Sequence, residues 1–351
     1  MKSDIDYERL YEEVIPSVVS IYVAERGPMG GAGSGFVYDR NHVVTNEHVV
    51  RGGDGVELRF SDGQWREGEV VGVDAYTDLA VVRVERLPET AVPLPVATEN
   101  PRPGRPVAAL GNPMGLDGSI SVGIVSGSSR SMPTSGGFAI PDVVQTDAPI
   151  NPGNSGGPLV ALNGRGESDG GGENGDSTTL SYEVVGVNRA KQGDNIGFAV
   201  SPAIVSQVVP GLVEDGSYRH SYLRTRTLDV TPTVARANRL DEPRGVLVVD
   251  VAAGPTGGDA LRGSRYSRTV RGREVPVGGD VIVGINGRAV NSHEQLMHYL
   301  ITETRPGEPV EIDVQRDGEA ETLRVVLGER PTPGGRRPRR RDGRGERIPI
   351  D

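Results

Sequence analysis

Asn151-Pro152-Gly153-Asn154-Ser155-Gly156-Gly157-Pro158-Leu159 is the stretch on which the reading of this chain turns. It follows an apolar run at Val143 and Val144 and leads into Pro158-Leu159-Val160, so one serine stands at a sharp bend between strand-like segments. The flanking glycines permit φ > 0 and let another backbone approach closely. Such a bend can aim the amides of Gly153 and Ser155, with Asn154 between them, at one point, and two fixed N–H donors make an oxyanion hole. An ordinary glycine turn fits the same letters, so the chemistry must be sought elsewhere in the chain.

Two other stretches supply it. Val43-Val44-Thr45-Asn46-Glu47-His48-Val49-Val50 sets a histidine after a β-branched run, and Asp74-Ala75-Tyr76-Thr77-Asp78-Leu79-Ala80-Val81-Val82 sets Asp78 just before another strand. A serine hydroxyl is a poor nucleophile until a base takes its proton, and the base needs a carboxylate to hold its tautomer. Ser155, His48 and Asp78 are the candidate catalytic residues for those roles. Asp74 is the rival carboxylate and reads as a strand-end turn residue; His42, beside Asn41, reads as a turn residue too. The chain order His, Asp, Ser is that of the chymotrypsin class.

The segments TNEHVV, YTDLAVV and NPGNSGGPL resemble the three catalytic segments of the HtrA (DegP/DegS-like) serine proteases. The resemblance runs from about Leu10 to Gly328 and takes in GSGFVY at 33–38 and NIGFAV at 195–200. It implies a mainly β fold: a chymotrypsin-like double Greek-key β-barrel protease domain followed by a PDZ-like α+β domain. It also implies an ATP-independent serine endopeptidase acting on unfolded or misfolded polypeptides, with a mechanism that needs no metal or cofactor. By the same likeness Ile150, Asn195, Ile196 and Gly197 line the substrate pocket and favour small or medium apolar residues before the cut; simple packing is the competing role. A homotrimer is expected from the family and from the short loop at 25–32. The alternative is a chaperone-like peptide-binding scaffold with latent proteolysis.

Composition bounds these readings. A chain of 351 residues with 35% hydrophobic residues, 50 Gly and 26 Pro suits two domains of short strands joined by many turns. There is no cysteine, hence no disulfide and no thiolate metal site. None of the five histidines lies in an HExxH pattern, which excludes the common zinc-protease signature. The net charge of −10 argues against nucleic acid as the main partner. Lysine occurs only at Lys2 and Lys191; an acidic surface of this kind fits either a salt-loving source or GC-rich codon usage. No run approaches the roughly 18 apolar residues of a membrane span, and the acidic N-terminus lacks an apolar signal core. As given, the chain is expected to be cytoplasmic, or extracytoplasmic if a leader has been removed.

The expected domains are an N-terminal helical segment at 1–16 closed by Pro16, a protease domain at 17–216, a PDZ domain at 220–329 and an Arg-rich tail at 330–351. In the protease part, Gly164–Thr179 is acidic, glycine-rich and of low complexity, so a disordered insertion is expected at about 163–180. Ser128–Ile140 and Thr256–Glu274 read as flexible stretches. In the second domain, GDVIVGINGRAV at 279–290 carries a strand, an Asn-Gly turn and a second short strand. Ser292 caps a helix with Gln295 three residues on. A PDZ domain takes an extended C-terminal peptide at a sheet edge. By resemblance its carboxylate loop is Tyr222-Leu223-Arg224-Thr225, with Arg224 where a glycine is usual.

Overall fold

The structure, a computed structural model, describes residues 6–23, 33–53, 55–112, 118–133, 139–163, 181–191, 196–252 and 260–331. The expected insertion beyond 163 and the tail beyond 331 lie outside the described residues.

The helix α1 (Tyr7–Val14) begins where the Asp6 side chain accepts the Arg9 amide at 3.0 Å. Its apolar pair Leu10 and Val14, four residues apart, is fully buried in one cluster with Val18, Ala108 and Leu110. The helix therefore lies on its own chain's barrels. Pro16 does not close it: the backbone tightens into a 3-10 turn, Ile15–Ser17, where a proline in the first positions withholds no needed donor.

Two closed barrels follow. The first is built from β1 (Val18–Val23), β2 (Gly33–Val37), β3 (His42–Thr45), β4 (Gly55–Arg59), β5 (Trp65–Asp74) and β6 (Leu79–Val84), in the order β1-β2-β3-β6-β5-β4. A one-turn helix α2 (Glu47–Val50) sits between β3 and β4. The second has β7 (Pro106–Gly111), β8 (Ser119–Pro133), β9 (Ala139–Thr146), β10 (Pro158–Asn163), β11 (Ser181–Lys191) and β12 (Gly197–Val200), in the order β10-β11-β12-β9-β8-β7. Closure leaves neither sheet with an open edge. Each barrel is filled by its own branched side chains, Ile21, Leu58 and Val82 in one and Val125, Val144 and Leu159 in the other.

A third cluster fills the seam between the barrels. Helix α3 (Pro202–Asp215), capped by the Ser201 hydroxyl and stopped at Gly216 with φ +71°, buries Ile204, Val205, Val208, Val209 and Leu212 there beside Phe36 and Leu110. The stretch 128–140 is more ordered than its composition suggests, because β8 continues to Pro133 and β9 starts at Ala139; residues 134–138 lie outside the described residues.

The second domain is a sheet closed over a helix. Its elements are β13 (Ser221–Tyr222), β14 (Thr225–Asp229), α4 (Pro232–Asn238), β15 (Val246–Val251), β16 (Tyr266–Val270), β17 (Arg273–Val277), β18 (Val281–Ile285), β19 (Arg288–Ala289), α5 (His293–Thr302), β20 (Pro309–Arg316), β21 (Glu319–Val326) and β22 (Gly328–Glu329). The main path is β14-β15-β18-β20-β21, and β13 pairs with β22 where the domain begins and ends. Leu296 and Leu300 of α5 pack on Val248, Ile282, Ile312 and Val325. The expected Ser292 cap is present, its hydroxyl accepting the Gln295 amide at 3.3 Å. The expected flexible stretch 256–274 is corrected in its described part: β16 and β17 form a hairpin with Val275 and Val277 buried.

Candidate active site

His48 and Asp78 are brought together by the first barrel alone. Asp78 ends the turn after β5 with φ +57°, a conformation that costs a non-glycine residue free energy, about 1–3 kcal/mol, and needs its surroundings to hold it. Those surroundings are the α2 turn. The Asp78 carbonyl accepts the Glu47 amide at 3.1 Å and the Asn46 side chain at 3.0 Å. Its carboxylate accepts the His48 amide on Oδ1 at 3.0 Å and faces His48 Nδ1 from Oδ2 at 2.7 Å. Ring and backbone of His48 are thus oriented by one carboxylate. Burial pushes the Asp78 carboxyl up, but its hydrogen bonds with His48 and the charges of His48 and Arg189 outweigh this and hold it below its ordinary value.

Asp74 and His42 stand elsewhere. Asp74 accepts the Tyr76 amide at 3.2 Å and the Thr77 hydroxyl at 2.5 Å, and its Oδ2 meets His220 Nε2 of the inter-domain connection at 2.8 Å. It builds the turn that presents Asp78. His42 opens β3, its Nδ1 2.8 Å from Asp39 Oδ2.

Ser155 is held from both barrels. Its carbonyl accepts the Ser34 amide of β2 at 2.8 Å, and the Ser34 hydroxyl donates to the Gly153 carbonyl at 2.5 Å. From the second barrel the Asn188 carbonyl accepts the Gly156 amide at 2.7 Å. Gly156 has φ +86°, and a Cβ there would strike the Ser34 carbonyl and the Thr45 hydroxyl, so no side chain fits. Gly153 has φ +101°. The Gly153 and Ser155 amides make no backbone–backbone hydrogen bond among the described residues. Asn154 contributes backbone only: its side chain is buried and its Oδ1 accepts the Ser119 hydroxyl at 3.1 Å.

A residue the sequence reading missed stands between these groups. Arg189 of β11 donates Nε–H to Asp78 Oδ2 at 2.6 Å, and its carbonyl accepts the Ser155 hydroxyl at 2.7 Å. Nothing local in the sequence marks it, because it acts across 111 residues through the meeting of two barrels.

Of the expected pocket residues, Ile150 is buried among Val144, Ala148 and Val185, and Gly197 lies against it so closely that a Cβ would fall 2.8 Å from Ile150 Cδ1. Ile196 beside them is 38% exposed. Asn195 lies outside the described residues. In the second domain Tyr222, Leu223 and Thr225 line a groove with Thr227, His293 and Leu296 of β14 and α5, and with Arg330. Arg224 adopts φ +58°, so the turn that usually takes glycine forms with arginine in it. Ser131, Ala139 and Pro141 of the β8–β9 hairpin form the groove's other wall. There the domains touch: the Ser131 amide donates to Glu294 at 3.0 Å, and His298 Nδ1 lies 3.1 Å from Asp142 Oδ1.

A two-barrel body with a serine, histidine and aspartate in its cleft, joined to a peptide-groove domain, defines a trypsin-like peptidase with a PDZ module. Comparison agrees: residues 33–166 match the trypsin-like peptidase domain and residues 225–327 the PDZ domain. The chain is 33% identical over 310 residues to a probable periplasmic serine endoprotease DegP-like of Halomonas elongata, covering 85% of this chain and 56% of that one. It is 33% identical over 361 residues to the putative serine protease HhoB of Synechocystis, covering 92% and 79%. The HtrA-type protease AlgW, solved with a tripeptide, superposes with a TM-score of 0.71 at 27% identity, over 94% of this chain and 99% of AlgW. The chain belongs to the HtrA family of serine proteases. It spans just over half the length of several curated DegP-like relatives it matches. Among the described residues no helix is long and apolar enough to cross a membrane.

Proposed function

We propose that the protein is an ATP-independent serine endopeptidase of unfolded or misfolded polypeptides, with Ser155 as nucleophile, His48 as general base and then acid, and Asp78 orienting His48. The single observation that carries this reading is the Asp78 carboxylate, which grips both the ring and the backbone of His48 at the foot of a cleft where Ser155 is fixed from both barrels. The Gly153 and Ser155 amides supply the oxyanion hole. Ile150, Ile196 and Gly197, small or apolar, support a preference for small or medium apolar residues before the scissile bond, with Asn195 the fourth expected lining residue. The groove of Tyr222, Leu223, Arg224 and Thr225 takes a C-terminal peptide as an added strand beside β14. The family resemblance and the short loop at 25–32 support a homotrimer, and relatives named probable periplasmic endoproteases support an extracytoplasmic site of action.

A latent scaffold is the second reading, favoured by the Ser155 hydroxyl being turned onto the Arg189 carbonyl. Degradation of unfolded casein separates the two. Wild type is expected to cut it and Ser155→Ala to lose about 10⁶-fold in kcat. Suppression of casein aggregation by both proteins with no cleavage by either would favour the scaffold.

A further inference from the structure

Strand β11 carries an irregularity where it passes the cleft. Against β12, Asn188 pairs with Ala199 and Ala190 with Phe198, so Arg189 is the extra, unpaired residue of a β-bulge. A bulge re-aims the side chain and carbonyl it releases from the ladder. Here both land on catalytic groups. The guanidinium reaches across the cleft to Asp78 Oδ2 at 2.6 Å, the same oxygen that faces His48 Nδ1 at 2.7 Å. The carbonyl accepts the Ser155 hydroxyl at 2.7 Å. Arg189 is steadied by a contact from Nη1 to the Met132 sulfur at 3.5 Å and is only 20% exposed.

We propose that Arg189 is a positioning residue of the catalytic cleft, holding Asp78 through its guanidinium and Ser155 through its backbone carbonyl, so that one bulge sets the geometry at both ends of the triad. The inference rests on the peptidase reading above. Two consequences follow. First, the Arg189 carbonyl, 2.7 Å from the Ser155 hydroxyl, is an acceptor that competes with His48 for its proton. Second, the guanidinium and the His48 ring face the same carboxylate oxygen, so removing the Arg189 charge leaves Asp78 to the ring alone. The other charged groups facing Asp78 are His48 on α2 and Arg51 just after it, whose guanidinium is held by Glu47 at 2.5 Å. Arg189 is the charge contributed by the second barrel.

The test is the pH dependence of kcat/KM on a short apolar peptide for wild type, Arg189→Met, Arg189→Gln and Arg189→Lys. Met and Gln remove the charge while keeping the backbone carbonyl. The acid limb of either variant should move to higher pH by about one unit, with KM little changed. Arg189→Lys, which restores a cation, should bring the limb back toward wild type. Two uncharged variants guard against one failing to fold. An acid limb superimposable on wild type in both, or a uniform loss at every pH, overturns the proposal and assigns Arg189 a packing role. Inactive wild type would instead sink the peptidase reading itself, so the two failures are distinguishable.

Discussion

His48–Asp78 in the cleft and His298–Asp142 at the domain junction are the same chemical pair in different company. Both carboxylates are buried, and burial alone would raise each; in both, hydrogen bonds and charge outweigh it and keep the group below its ordinary value. Their partners differ. Asp78 holds His48 by ring and by backbone within one barrel, so the pair is part of the barrel's own geometry. Asp142 is bonded inside the protease domain to Asn100 at 2.8 Å and Ser201 at 2.6 Å, and only its third partner, His298, comes from the PDZ domain. The first pair is anchored by a backbone hydrogen bond as well as a ring contact, both within one barrel. In the second, Asp142 has two hydrogen bonds inside its own domain besides the contact that fastens it to the other domain.

The largest way to break this comparison is Asp78→Asn. It preserves size but leaves the His48 ring without its acceptor, and kcat is expected to fall about 10⁴-fold while the melting temperature changes modestly. Steady-state kinetics beside a thermal melt check this, and near-normal activity would show that the carboxylate does not orient the base.

A much smaller effect is expected at the junction. His298 is raised above its ordinary value, chiefly by the Asp142 carboxylate 3.1 Å from its Nδ1, so its stabilising contribution is full below about pH 6.5 and fades as pH rises through the raised value. Asp142 is lowered, so its contribution stands above about pH 3.8 and is lost as pH falls through the lowered value. The junction pair is therefore strongest between roughly pH 4 and 6.5. Hydrogen exchange of β9 and α5 should show tighter protection at pH 6 than at pH 8.5 in wild type, and no such difference in His298→Gln. Since His298 is one-third exposed, the gain is about 1 kcal/mol or less. An equal pH response in the variant would move the sensitivity to another group.

What was readable in the sequence follows the range of the interactions concerned. The candidate residues His48, Asp78 and Ser155 stood out in the sequence because each lies close to a strand in a stretch that carries asparagine, aspartate or glycine. The Asn286-Gly287 and Asp317-Gly318 turns were legible because both residues of each take φ > 0, which that pairing favours. Arg271-Gly272 makes a turn of the same kind at φ +51° and +76°. It escaped notice because arginine is an unusual first residue there and the surrounding strands are polar on their exposed faces. Pro16 was read as a stop, although proline is tolerated at the start of the 3-10 turn it occupies. Arg189 was illegible in principle, since a bulge is a property of a ladder and its two contacts join segments distant in the chain. The same holds for the Asp142–His298 fastening.

The central claim is that Ser155 is made nucleophilic by His48 and Asp78 across the two barrels, and active-site labelling with a fluorophosphonate tests it most directly. Intact-mass and peptide analysis should show one adduct per chain, located on Ser155, formed rapidly by wild type and lost or slowed by orders of magnitude in Asp78→Asn. Labelling at another serine, or equal labelling of Ser155 in both proteins, would contradict the account.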